Sequence, residues 1–223
     1  MKYSTLVFII VLSFQLQCAR QSYRIHVGES FSSTSLQSTG YGGSAIAAAR
    51  PDTIIELTGI YCDNNVFLNR YPVIRIFSTQ QGKLFVPLSY RLDCKDGSLI
   101  SIKGKVVKLP VRYPPTNKTL NYHQLAPLSY NTIMDNQKII ERVNTEYHKI
   151  RDDLQTRITI EQSKLQLTAN PEWAIWLDEQ ENTLIFHSHQ YDLMYAADIE
   201  FIVDVKTQKI SDVYAKQWFK GEL

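Results

Sequence analysis

Residues 131–158, NTIMDNQKIIERVNTEYHKIRDDLQTRI, hold the clearest helical spacing in this chain. Ile140, Val143, Tyr147, Ile150, Leu154 and Ile158 advance by three or four residues and form one apolar stripe. Glu141, Arg142, Lys149, Arg151 and Asp152 lie mostly off it. The pattern predicts an amphipathic helix that covers something with one face and meets water with the other. A two-residue alternation starting at Ile158 and Ile160 leaves its end open.

Downstream of Asn170-Pro171 the period changes to two. Strands are expected at Trp173 to Leu177, Leu184 to His189, Ile199 to Val205 and Ile210 to Tyr214. One helix followed by an antiparallel β-meander is an α+β plan, with Trp173, Ile175 and Phe201 laid against the helix stripe. This sketch is loosely similar to small periplasmic inhibitor and binding domains.

Upstream, from Asp52 to Val111, the pattern is strongly β. Strands are expected around Ile54 to Tyr61, Val73 to Phe77, Leu84 to Leu92 and Leu99 to Leu109, separated by TQQG and KDG turns. Gly59 and Gly104 fall inside strands, where glycine marks a bulge or sharp bend. The run TIIELTGIY…PVIRIF…KLFVPLSYRL…GSLISIKGKVV loosely resembles an OB-fold. That resemblance implies a small β-barrel or β-sandwich with a groove for an oligomer or peptide, and Tyr61, Phe77, Phe85 and Tyr90 as candidate groove aromatics. Pro110, Pro114, Pro115 and Pro127 then suggest a linker. The expected organisation is therefore a signal peptide at 1–18, a β-barrel or sandwich at 22–112, a linker at 113–130 and an α+β domain at 131–223.

The N-terminus supplies the compartment. Lys2 precedes an unbroken apolar run from Leu6 to Leu12, and polar residues return at Gln15, Gln17 and Arg20. A helix needs roughly 20 apolar residues to cross a bilayer, so this run fits a secretory signal and predicts an exported chain without a membrane span after processing. Cys18 has three readings: a lipid anchor, removal with the signal, or an odd thiol. The first two leave Cys62 and Cys94 as an even pair, which predicts a disulfide worth roughly 4 kcal/mol on the chain-entropy model.

The formal net charge of +2 argues against nucleic acid as the main partner. No phosphate-loop, Gly-x-Ser-x-Gly or HExxH motif is present, so no cofactor and no catalytic group is expected from motifs. The most chemical stretch is IFHSHQYDLMY, residues 185–195. On a strand His187 and His189 point to one side, which suits two imidazoles on one metal, with Asp192 as a third ligand. This element superficially resembles the His-x-His of metal-dependent hydrolases, and an exported hydrolase is the alternative function. The preferred expectation is a binding protein, such as an inhibitor, an immunity protein or an assembly component, that takes another protein as partner. Its anchors would be Trp218 and Phe219, adjacent aromatics between Lys216 and Lys220 after the final strand.

Overall fold

Helix α1 spans Gln137–Ile158 in the computed structural model, which describes residues 23–31, 43–63, 72–78, 81–113 and 118–222. The expected signal segment, with Cys18, lies outside the described residues. The buried face of α1 is Ile139, Val143, Tyr147, Ile150, Leu154 and Ile158. It starts at Ile139, with Ile140 only partly buried against the same cluster. At the N-terminus the Asp135 carboxylate accepts from the Gln137 amide at 3.0 Å and pairs with Lys95 at 2.5 Å. Asn136 donates its side-chain amide to the Gly97 carbonyl at 2.7 Å, tying the helix start to the turn before a strand.

The strands, in chain order, are β1 (Arg24–Val27), β2 (Gly43–Ser44), β3 (Ile54–Cys62), β4 (Val73–Ser78), β5 (Gly82–Pro87), β6 (Leu99–Tyr113), β7 (Lys118–Met134), β8 (Ala174–Asp178), β9 (Thr183–Tyr191), β10 (Tyr195–Asp204) and β11 (Ile210–Phe219). They form one 11-stranded sheet whose main path runs β1-β11-β10-β9-β8-β4-β3-β6-β7, with β5 on β4 and β2 on β5. The described residues are thus mostly β-sheet with a single long helix, an α+β arrangement. The meander β8 to β11 is antiparallel throughout. Short β1 joins its edge in parallel with β11, and β4 pairs with β8 in parallel through Ile76–Leu177 and Phe77–Asp178.

Alternation along β8 to β11 sorts the core. Ile175, Leu177, Leu184, Phe186, Ala197, Ile199, Phe201, Val203, Val213 and Ala215 face α1 in one buried cluster. Trp173 lies edge-on to both Tyr147 and Phe201, with centroids 5.7 and 5.5 Å apart, as its place in the sequence suggested. Fully burying each large apolar side chain on this face contributes about 2 kcal/mol. The helix is held by area, and the Tyr147 hydroxyl, which donates to the Thr168 carbonyl at 2.7 Å, sets its register.

The N-terminal strands curl but do not close, so the sheet is not a barrel and the OB-like expectation is not met. An isolated bridge between Leu88 and Leu125 is one place where β7 touches the chain leaving β5. The inner face of the curl holds Ile74, Val86, Leu88, Ile100, Ile102, Val106 and Leu125. Gly104 sits where the β6–β7 register shifts, and a Cβ there would lie 2.5 Å from Leu125 Cγ and 2.8 Å from the Ala126 carbonyl oxygen. Only glycine lets the two strands approach so closely. The segment 113–130, expected as a linker, forms strand β7 from Lys118 onward, paired with β6. Proline lacks the amide donor, yet an edge strand tolerates it at positions that need no ladder bond.

Candidate functional site

The face of the C-terminal sheet opposite α1 is built from the other parity of each strand. β9 contributes His187 and His189, β10 Asp198 and Glu200, and β11 Asp212, Tyr214, Lys216 and Trp218. Cross-strand register places His189 opposite Asp198 and Asp198 opposite Lys216; the next row is His187, Glu200 and Tyr214. Ionisable side chains therefore share this face with a buried apolar cluster of Trp176, Ile185 and Ile202 packed with Phe77.

Asp198 is the centre of this belt. Its Oδ1 takes hydrogen bonds from His187 Nε2 and His189 Nδ1, each at 2.8 Å. Lys83 Nζ lies 3.0 Å from His187 Nδ1. With Lys83 donating, His187 carries its proton on Nε2 and passes it toward the carboxylate. Burial opposes the charge on Asp198, but the two imidazole hydrogen bonds outweigh it and hold the carboxyl well below the usual range. Burial lowers the Lys83 pKa although Glu200 and Asp198 act against that. Glu200 is itself fully buried and accepts from the Ser30 hydroxyl at 2.8 Å. Further along, Asp212 accepts from Arg24 Nε and His26 Nε2, each at 3.0 Å, and the His26 ring stacks on Tyr214 at 4.3 Å.

At the end of this face stands the β9–β10 turn. Asp192 Oδ1 accepts from the Met194 and Tyr195 amides at 2.7 Å. Lys220 donates its backbone amide to the Met194 carbonyl at 2.8 Å and its ammonium to the Asp192 carbonyl, with Nζ 4.6 Å above the Tyr191 ring. The turn is thereby pinned from within and from the C-terminus. It presents Leu193 at 96% exposure, with Tyr191 and Met194 at 67% and 54%. His189 connects the tip to the belt, its ring lying 5.6 Å from Tyr191 and 5.7 Å from Trp218.

The residues singled out in the sequence fall into three groups. His187 and His189 come together, but Asp192 is not with them, because its carboxylate is spent closing the turn; Asp198, across the hairpin, takes its place. Trp218 and Phe219 belong to β11 instead of following it, on opposite faces and half-buried, with Phe219 5.6 Å from Tyr195. Lys216 and Lys220 flank them as expected. Tyr61 is fully buried in the inner core, its hydroxyl donating to Asp63 at 2.9 Å, so it cannot line a groove. Tyr90 is half-exposed and donates to the Pro127 carbonyl at 2.5 Å. No disulfide joins Cys62 and Cys94 in this structure. Burial, then Asp93, Asp63 and Asp96, push the Cys94 thiol up to about 11.

Asp198, Lys83 and Leu193 were missed. The parity of Asp198 and Glu200 inside the apolar run AADIEFIVD was the available signal for the first. Lys83 comes from a distant strand, and nothing local marks it.

No family model, curated protein or solved structure matches this chain. Fold and site therefore define its class directly: an α+β protein with one sheet face sealed by a helix and the other carrying an ionisable belt that ends in an exposed apolar turn. Among the described residues no helix is long and apolar enough to cross a membrane.

Proposed function

We propose that this is an exported binding protein that docks another protein on the β9–β10 turn and the adjoining edge of β11. The observation that carries the reading is Leu193, almost wholly exposed on a turn held by five hydrogen bonds and a cation–π contact from Asp192 and Lys220. A large apolar side chain kept rigid in water costs solubility and gains nothing for the monomer, whereas a preorganised apolar tip loses little entropy on docking. Tyr191, Met194 and the half-buried Trp218 enlarge the apolar centre, and Lys216 and Lys220 favour a partner with an acidic rim. Export is supported by the apolar run Leu6 to Leu12 behind Lys2.

The test is a photo-crosslinking amino acid at position 193, with exposed Glu161 as the control position, in cells that express the full chain. Docking through the turn gives a discrete protein adduct from position 193 that is absent from 161 and lost when Tyr191 and Met194 become serine. Identical adducts from both positions, or none from 193, refute it.

A further inference from the structure

We infer that His187, His189 and Asp198 form a binding site for a divalent transition metal of the zinc class. The inference is independent of the docking surface. Their three candidate ligand atoms all lie within 4.8 Å of one another. The ligands come from adjacent positions on two paired strands: His189 is directly opposite Asp198, and His187 is two residues along the same face. Such a site is rigid because the ladder, and not a loop, sets its spacing.

The donor set suits that class of ion. Two neutral imidazoles and one carboxylate are borderline ligands that zinc takes with bonds of about 2.0–2.2 Å, leaving a fourth position for water. A tetrahedron of such bonds has edges of roughly 3.4 Å. The present nitrogen-to-oxygen separations of 2.8 Å need to widen by about half an ångström, a side-chain adjustment with no backbone movement. Burial favours occupancy. Asp198 and His187 are nearly enclosed, and His189, whose side chain is 44% exposed, leaves an entry path from solvent.

Lys83 opposes the ion, and this makes the inference specific. A histidine that ligates through Nε2 carries its ring proton on Nδ1 and gives it to an acceptor. Here Nδ1 of His187 faces an amine at 3.0 Å. Metal entry at Nε2 leaves the ring proton on Nδ1, 3.0 Å from Lys83 Nζ, so a donating Lys83 side chain must turn away. The lysine therefore acts as a latch that favours the metal-free tautomer. Removing it should raise affinity, which no merely adventitious surface site would show.

Tag-free protein is titrated with zinc against a chromogenic chelator, and separately with cobalt(II) for its visible spectrum. Wild type should bind one equivalent of zinc, with cobalt bands of a tetrahedral nitrogen–oxygen site and no thiolate charge-transfer band. His189→Gln and Asp198→Asn should each weaken binding by at least about tenfold. Lys83→Met should tighten it by about tenfold, and His148→Ala, on the exposed face of α1, should leave it unchanged. Far-UV circular dichroism checks that each variant is folded. His189→Gln, at the most exposed ligand, keeps the test decisive if Asp198→Asn does not fold. Binding that is absent, that survives His189→Gln, or that falls with Lys83→Met overturns the inference.

Discussion

Replacing Asp212 with asparagine should loosen strand β1 without unfolding the sheet. β1 is four residues long, and much of its polar attachment converges on one carboxylate, which takes hydrogen bonds from Arg24 Nε and His26 Nε2 at 3.0 Å. The isosteric amide keeps the shape and loses the charge. The Arg24 side chain is 79% exposed, so its pairing is screened and worth about 0.3 kcal/mol. The His26 side chain is only 26% exposed, and the difference between a charged and a neutral acceptor there is about 1 kcal/mol. Together these predict a local loss of about 1.3 kcal/mol, or roughly tenfold faster opening. The reporter is the Gly28 amide, which donates to the Ala215 carbonyl at 2.9 Å at the end of the β1–β11 pairing. Its hydrogen-exchange protection should fall about tenfold at pH 6 while amides of β9 and β10 keep theirs. Acid should erase the difference. Burial pushes the Asp212 carboxyl up, but hydrogen bonds from His26, Ser211 and Arg24 outweigh it and hold the group below its ordinary value. A depressed carboxyl stabilises fully above its unfolded pKa, near 3.9, and loses that contribution as the pH falls through its folded value. The penalty for asparagine is thus whole at pH 6 and smaller at pH 3. Equal Gly28 protection in both proteins at pH 6, or a penalty that grows in acid, would refute this reasoning.

Three further outcomes are expected. Gly104→Ala drives a methyl into Leu125 and the Ala126 carbonyl at the β6–β7 register shift, and should lower stability in urea by about 2–3 kcal/mol; an unchanged midpoint would show that the curl can open at no cost. Trp218→Ala should lower stability by about 2 kcal/mol, since the indole is half-buried within β11 against His189, and an unaltered melting temperature would instead make it a pure surface anchor. With Cys94 pushed up to about 11, iodoacetamide should modify it in reduced protein far more slowly at pH 7.5 than a free cysteine, with a rate that climbs as the pH rises; a rate equal to the free thiol's would contradict the burial. In protein recovered from an oxidising compartment, non-reducing peptide mapping should find Cys62 linked to Cys94, and two alkylatable thiols there would exclude that pairing.

What the sequence by itself determined is local and periodic. The stripe from Val143 to Ile158 is helix, and the four downstream strands lie where two-residue alternation placed them, because burying one face of each element imposes a period that neighbouring residues must keep. Gly59 and Gly104 were readable as bulge or bend positions: Gly104 does sit at a register shift, whereas Gly59 lies in an unshifted ladder where a Cβ would meet Ile74. Pairing between distant segments was not legible. Prolines suggested a linker where β7 pairs with β6, and nothing in RIHV pointed to a parallel pairing with β11, 188 residues later. The site shows the boundary most clearly. His187 and His189 were readable as one face of a strand, but Asp192, near in sequence, was drawn into the turn, and Asp198 arrived opposite them through hairpin register. Lys83 reached the same imidazole from β5. Sequence spacing decides which side chains share a face, whereas register and sheet order decide which faces meet, and those are set by the burial of the whole sheet at once.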